Sequence, residues 1–363
     1  MADGVLVVAL AGAAVAILTP LVARSMVVMA TSSKPSPLMR ARELRRPPVS
    51  VTTGGEFEAA EWWEEQDTLL QEAWEEFGIG DEALRAWSDE GIALALRCAV
   101  RAARASPDEH LDAAARALWE EVAPGVYAAQ LFTPDLVERL RRELDRLRDS
   151  GIPTRRPNGM NRYGLILSEN CPLSAWISGL VDEYARPFAH ALFNANVGRG
   201  DALEHYAFTV RYAAGEDREL AEHRDASVAT LNVNLNREDE GYSGSELRFV
   251  DPDDVEVSHT VLFKPGMAVM HLGALRHQAM PIGEGVRTNL ICWLTGRGGY
   301  VRFAPYSLNH RMHPKEYWAA QPSDVKAVHW DGADKAASSR TEKIVYVSDD
   351  RDDDLHVVDE GDL

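Results

Sequence analysis

Cysteine is scarce in this chain: Cys98, Cys171 and Cys292 are the whole complement of a 363-residue sequence. Their spacing matches no zinc motif, and three thiols build no disulfide framework, so the fold has to rest on a packed apolar core. Cys98 in a helical stretch and Cys292 in an apolar strand read as buried thiols, and Cys171, beside Pro172, as an exposed one. Basic side chains are also in deficit, 38 Lys and Arg against 57 Asp and Glu, for a net charge of −19. A surface of that sign excludes non-specific nucleic-acid binding, which needs a basic face for the phosphates, and suits a basic polypeptide partner. No internal repeat recurs along the chain.

Against this polar background one long apolar run stands out. Val5 to Ala23 is broken only by Gly12, Thr19 and Pro20, and at helical rise it spans roughly 28 Å, one hydrocarbon core. Residues 1–30 therefore read as a single-pass membrane helix. A cleaved signal peptide is the alternative, although its basic start is missing and Asp3 is the only charge before the run; an organelle transit peptide is a third. Arg24, Lys34, Arg40, Arg42, Arg45 and Arg46 follow, and the positive-inside rule puts the rest of the chain in the cytoplasm.

Residues 31–55, rich in Ser, Pro, Thr and Arg, read as a linker. Residues 56–122 read as a helical module: Trp62, Leu69, Leu70, Trp74 and Phe77 recur at helical spacing, Leu84, Trp87, Ile92, Leu94 and Leu96 suggest a helix after Gly80, and Asp108 to Val122 forms another. From 123 to about 300 the pattern changes. Val126 to Phe132 is a strand, Thr133 caps a helix with Pro134 at its first position, and Trp176 to Phe193 is a second amphipathic helix. Short alternating strands divided by turns such as Asp251-Pro252-Asp253-Asp254 and Lys264-Pro265-Gly266 then follow, with Val255–Val257 and Val261–Phe263 among them, which argues for a two-sheet jelly roll. Residues 301–348 form a mixed C-terminal extension. The tail 349–363 is acidic and reads as solvated and disordered.

Within the strands, His223 and Asp225 stand two apart, so both side chains leave one face of an extended segment. His277 lies far downstream, with Arg287 ten positions beyond it. Two imidazoles and a carboxylate leave half of an octahedral Fe(II) open, and a guanidinium is a fixed planar fork for a carboxylate. Arg287 sits inside an apolar strand, where an Arg needs a buried partner. Asn232, Asn234 and Asn236 share one face of a strand whose other face is Leu231, Val233 and Leu235; that polar face looks either to water or into a pocket. His259 and His271 read as structural or solvent-facing histidines.

The stretch Val210-Arg211-Tyr212, His223-Arg224-Asp225-Ala226-Ser227, Asn234-Leu235-Asn236, Gly244-Ser245-Glu246-Leu247-Arg248-Phe249, Pro265-Gly266, His277, Pro281, Gly285-Val286-Arg287 and Trp293 resembles the 2-oxoglutarate/Fe(II) dioxygenases of the prolyl 4-hydroxylase type. Within that group it looks most like the catalytic domain of procollagen lysyl hydroxylases. The resemblance covers roughly residues 124–300 and departs from the family at Gly244-Ser245, where Gly-Gly is usual. It implies a double-stranded β-helix (jelly-roll) core with support helices; with the helical module and the N-terminal membrane helix read ahead of it, the whole chain is expected to be mixed α+β. It implies His223, Asp225 and His277 as iron ligands, Arg287 as the partner of the distal carboxylate of 2-oxoglutarate, and Tyr212 as a hydrogen-bond donor to the same carboxylate, with plain core packing the other reading of Tyr212. The activity implied is hydroxylation of a peptidyl lysine or proline with Fe(II), 2-oxoglutarate, O2 and ascorbate, releasing succinate and CO2, in the secretory pathway. The same chemistry on a small molecule or free amino acid, or a non-catalytic jelly-roll binding module, are the alternatives.

Overall fold

The computed structural model describes residues 34–52, 55–105, 109–168, 171–194, 197–198, 202–296 and 300–301, and three two-residue strands further on. The chain divides into Met1–Pro35 and Ser36–Leu363, and the elements below belong to the second unit. In order they are α1 (Pro37–Arg42), β1 (Val49–Thr52), β2 (Gly55–Glu58), α2 (Ala60–Phe77), α3 (Leu94–Ala105), α4 (Glu109–Leu118), β3 (Glu120–Ala123), β4 (Val126–Gln130), α5 (Pro134–Arg148), α6 (Ser174–Leu180), α7 (Arg186–Leu192), β5 (Glu204–Ala213), β6 (Leu220–His223), β7 (Ala229–Asn234), β8 (Tyr242–Gly244), β9 (Leu247–Val250), β10 (Ser258–Val261), β11 (Met267–Leu272), β12 (His277–Ala279) and β13 (Ile282–Thr295).

Two antiparallel sheets form the core. The larger runs β3-β4-β11-β7-β13-β5, with β8 on β13; the smaller runs β10-β9-β12-β6. From β5 onward the chain crosses repeatedly between them: β5, β7, β11 and β13 enter the large sheet, and β6, β9, β10 and β12 the small one. This exchange is that of a double-stranded β-helix. The two sheets face one another, since Phe249 of the small sheet lies against His271 of the large one, ring centroids 5.1 Å apart.

Alternation decides which face of the large sheet meets which layer. Leu231, Val233, Leu290, Cys292 and Leu294 share one face and join a core with Leu136, Val137, Leu140, Leu144 and Leu147 of α5 and with Trp176, Ile177, Leu180 and Phe188 of the α6–α7 run. Each such side chain contributes on the order of 1.5–3 kcal/mol. The opposite face carries Thr230, Asn232, Asn234, Arg287 and Asn289, all buried, so the polar side of β7 looks into the space between the sheets and not to water. The α5 cap is built as the residue pattern predicts: the Thr133 side chain accepts from the Leu136 N–H, and Pro134 stands in the first turn. Between α6 and α7 the helix widens into a π turn over Val181–Ala185, and the Arg186 N–H bonds the Val181 carbonyl. Pro187, which has no N–H to give, follows immediately.

Several expectations are corrected. The residues expected as a membrane helix, 1–30, lie outside the described residues, and no described helix is long and apolar enough to cross a membrane. The longest, α2, reads AEWWEEQDTLLQEAWEEF, with carboxylates on every turn. The single-pass anchor, and the secretory-pathway membrane location joined to it, are therefore not carried forward. The stretch 31–55 read as a linker contains α1, capped by Ser36, and β1, which pairs with β2 from Gly55 onward. The helix expected after Gly80 is only a 3-10 turn over Glu82–Leu84; Ile92 instead bridges Phe132, and α3 starts at Leu94. The helix expected to run to Val122 stops at Leu118 and gives way to β3, which pairs with β4. Leu84, Ile92, Leu96, Val100 and Trp119 share the core of the sheets, so residues 56–122 do not have a wholly separate core. A smaller cluster of Ala41, Trp63, Leu70, Ala73 and Ile152 seats α1 on α2. Val255 and Val257, read as a strand, lie exposed before β10. Cys98 is exposed, Cys171 half-buried and Cys292 buried, all as free thiols. In the tail read as disordered, Val357–Val358 pairs with Ile344–Val345.

The loop that departs from Gly-Gly explains what the position asks of its residue. Gly244 has φ +73°, and a Cβ there would stand 2.3 Å from the Pro281 carbonyl. Ser245 has φ +58°, in the left-handed region that costs a side-chain-bearing residue about 1 kcal/mol. It is wholly buried, and its Oγ has no hydrogen-bond partner. Ser245→Gly is expected to stabilise the protein by about 1 kcal/mol, read as a raised midpoint in thermal or urea denaturation; an unchanged or lowered midpoint refutes the strain.

Candidate metal centre

The register of the small sheet sets His277 of β12 opposite His223 of β6, and their rings lie 4.3 Å apart. Asp225 follows β6 by two residues. Its backbone N–H bonds the Gly273 carbonyl at 3.0 Å, which pins the turn after β6 to the loop after β11. That approach demands glycine at 273, where a Cβ would stand 2.0 Å from the Ser227 carbonyl. The result is a triad: His223 Nε2 is 3.4 Å and His277 Nε2 3.7 Å from Asp225 Oδ1. One ligand atom from each residue lies within 4.8 Å of the others. Asp225 and His277 are buried and His223 is nearly so.

Each ligand is oriented by a second contact. The Nδ1 atoms of His223 and His277 face the carbonyls of Ala221 (2.8 Å) and Leu275 (3.0 Å). A carbonyl only accepts, so Nδ1 carries the proton and Nε2 turns a lone pair into the shared space. Thr230 Oγ1 donates to Asp225 Oδ2 at 2.6 Å, which occupies that oxygen and leaves Oδ1 facing the imidazoles. Phe249 stacks on His277 at 5.3 Å with an interplanar angle of 23°. Burial pushes the Asp225 carboxyl up, but His277, His223 and His271 beside it outweigh that and hold it well below the ordinary carboxylate range. Burial takes His277 down to about 3, so at neutral pH it is an unprotonated donor beside an ionised carboxylate. Two imidazoles and one carboxylate facing a shared, mostly buried space can hold a divalent cation on one side.

Arg287 stands on the same inner face of the large sheet as Thr230, in register with Tyr212 of β5. It is 1% exposed. Its guanidinium lies 4.7 Å from the Tyr212 ring and 5.7 Å from the Phe263 ring, and its Nε and Nη1 have no hydrogen-bond partner. A buried cation with unsatisfied donors is costly unless an anion joins it, and the planar fork suits a carboxylate. Tyr212 is buried, and its hydroxyl accepts from Asn161 Nδ2 at 3.3 Å. Asn161 belongs to the 158–164 loop, and that contact brings the loop to the inner end of β5. The Tyr212 ring packs in the core, and its hydroxyl is polar and buried.

One contributor escaped the sequence reading and another was set aside in favour of His277. His271, the nearby alternative to His277 and read as structural or solvent-facing, is fully buried with Nε2 3.7 Å from Asp225 Oδ2 and its ring 4.7 Å from that of His277. Thr230, the residue that orients Asp225, looked like one more β-branched strand residue. Asn232 joins a buried chain of amides: Asn289 Nδ2 donates to Asn232 Oδ1 at 2.6 Å, and Asn234 Nδ2 to Asn289 Oδ1 at 3.1 Å. His259 of β10 hydrogen-bonds Asp251 through Nε2 at 2.8 Å.

Residues 92–198 match the OGFOD2-like domain. The "2-oxoglutarate and iron-dependent oxygenase domain-containing protein 2" of Xenopus tropicalis is 35% identical over 173 residues, 47% of this chain and 48% of that protein. The rat procollagen-lysine,2-oxoglutarate 5-dioxygenase 1 is 28% identical over 194 residues, 50% of this chain and 25% of that protein. A Pseudomonas putida prolyl-4-hydroxylase structure aligns with 48% of this chain and 89% of its own at 24% identity and a TM-score of 0.34, too partial a superposition to argue from. The chain spans about half the length of the frog relative it matches. It is related to OGFOD2-like proteins; a specific closeness to the procollagen lysyl hydroxylases does not emerge, the rat enzyme being the more distant of these two relatives.

Removing the donor to Asp225 is expected to loosen the triad without touching a ligand. Thr230→Val should weaken divalent-metal binding about 10- to 100-fold in a titration with Co(II), with the far-ultraviolet spectrum unchanged; wild-type affinity in the variant refutes the orienting role.

Proposed function

We propose that this chain is a 2-oxoglutarate- and Fe(II)-dependent oxygenase that hydroxylates a peptidyl lysine or proline. The single observation that carries this reading is the triad of His223, Asp225 and His277 within 4.8 Å. The similarity to proteins described as 2-oxoglutarate and iron-dependent oxygenases supports it. When bound, Fe(II) with 2-oxoglutarate and O2 supplies the oxidation that places oxygen on a substrate C–H and releases succinate and CO2.

The rest is the work of this chain's own residues. His223 and His277 offer Nε2 and Asp225 offers Oδ1, three donors from one side that leave the opposite side for co-substrate and O2. Arg287 takes the distal carboxylate of 2-oxoglutarate, which supplies the anion its Nε and Nη1 lack, and the Tyr212 hydroxyl donates to the same carboxylate. Phe249 walls the His277 side and excludes water there. Substrate choice rests on loops around the site. The name of the rat relative points to lysine in a polypeptide, and the −19 charge favours a basic polypeptide over an acidic one. Ascorbate serves as the reductant that keeps the metal ferrous.

Succinate formation with Fe(II), 2-oxoglutarate and ascorbate, together with mass spectrometry of candidate peptides for a gain of one oxygen, tests the reading. His277→Ala should abolish succinate formation while leaving the circular dichroism spectrum intact; full turnover in that variant refutes the ligand assignment. Arg287→Met should raise the KM for 2-oxoglutarate by roughly 10- to 100-fold, the size of a charge-assisted hydrogen bond of about 1.5–3 kcal/mol. It should not destabilise the metal-free fold, because the lost cation has unpartnered donors. An unchanged KM refutes the role of Arg287.

A further inference from the structure

The outer face of the large sheet holds a second polar site. A cavity of about 360 Å³ lies between α5, the 151–156 segment and the edge of β5, walled on the sheet side by Thr209, Arg211 and Thr288. These alternate with Tyr212 and Arg287, so the cavity is on the opposite face from the triad. Tyr163, Gly164 and Leu165 line its rim, and this segment runs on along the sheet: the Thr209 N–H bonds the Leu165 carbonyl and the Leu167 N–H the Ala207 carbonyl.

The lining runs against the charge of the chain. In a protein of net charge −19, seven arginines line this cavity and only two carboxylates, Asp145 and Glu216, oppose them. Inside it Glu216 pairs with Arg211 and Asp145 with Arg148; Glu240 (paired with Arg141), Asp149 (paired with Arg148) and Asp217 (bonded to the Arg162 N–H) lie just outside, which makes five carboxylates to seven arginines.

Two buried polar groups in the wall are unsatisfied. Arg141 is 6% exposed and Thr288 likewise 6%; Arg141 Nε and Thr288 Oγ1 have no hydrogen-bond partner, and neither has the half-buried Arg211 Nε. Buried donors are left unmade only at a cost of about 1–3 kcal/mol each, and such orphans call for a ligand or ordered water.

We propose that this cavity binds a small free phosphorylated anion. Arginine forks match phosphate oxygens, and a multiply charged anion answers a lining with two more arginines than carboxylates better than one carboxylate does. The volume is at the low end of small-molecule sites, which excludes a folded partner. Leu44, Leu144 and Ile152 supply an apolar side for the body that carries the phosphate. The site is independent of the oxygenase reading, and Thr288 is the chain neighbour of Arg287, one residue from the inner face.

Isothermal titration of the whole protein with inorganic phosphate and with tripolyphosphate tests this, with sodium citrate as the carboxylate comparison. Saturable binding is expected, tighter for tripolyphosphate than for phosphate, and tighter for either than for citrate. Thr288→Val, which removes a hydroxyl that has no partner and so leaves the fold intact, should weaken tripolyphosphate binding at least five-fold. Arg141→Met should weaken it at least ten-fold, and His277→Ala should leave it unchanged. Absence of saturable binding, equal affinity in wild type and Thr288→Val, or a preference for citrate overturns the proposal.

Discussion

The pairing of His277 with His223 across the small sheet is the constraint on which the molecule depends. Side chains alternate in a strand, so a slip of one residue in β12 or β6 sends one imidazole to the far face. The register is held from both sides, since β12 also pairs His277 with Phe249 of β9. The turn after β6 is then fixed by the Asp225 N–H on Gly273, and Thr230 completes the alignment from the large sheet. A metal-binding geometry is thus a consequence of sheet topology: residues more than fifty positions apart meet because the chain passes twice between two sheets.

The space between those sheets is unusually polar for a core. Asn232, Asn234, Asn236 and Asn289 satisfy one another, and Asn236 also bonds the Val286 carbonyl at 2.6 Å and the Thr288 N–H at 3.0 Å. Buried amides of this kind are tolerated only when they are satisfied. The network stiffens β7 against β13 beside Arg287, whose own donors are left open. Asn289, a satisfied amide, and Arg287, with two unsatisfied donors, thus stand two residues apart on a single strand.

Much of this was legible in the residue order, for identifiable reasons. His-x-Asp followed by a distant His and an Arg within an apolar strand marks the triad and its cationic neighbour because few other folds ask for those groups together. The Thr133-Pro134 cap and the strand alternation were equally direct. Other features depend on contacts that no local pattern encodes. Alternation showed that β7 has a polar face, but whether that face meets water is decided by the small sheet. Thr230 and His271 become significant only through Asp225, which is distant from His271 in sequence. The apolar residues after Gly80 have helical spacing, yet Gly91 and Ile92 are captured by the 131–133 segment through the Ile92–Phe132 bridge and the Thr133 N–H on the Gly91 carbonyl. Tertiary pairing there overrides local propensity.

The place of β13 has a consequence for biosynthesis. This last long strand lies between β5 and β7 and also carries β8, so the large sheet has a gap at its centre until residues 282–295 have left the ribosome. Upstream strands must wait with bare edges, a state open to off-pathway pairing. Closure then comes as one late, non-local event with slow kinetics, and a nascent chain halted before Ile282 has neither a joined sheet nor a seat for Arg287.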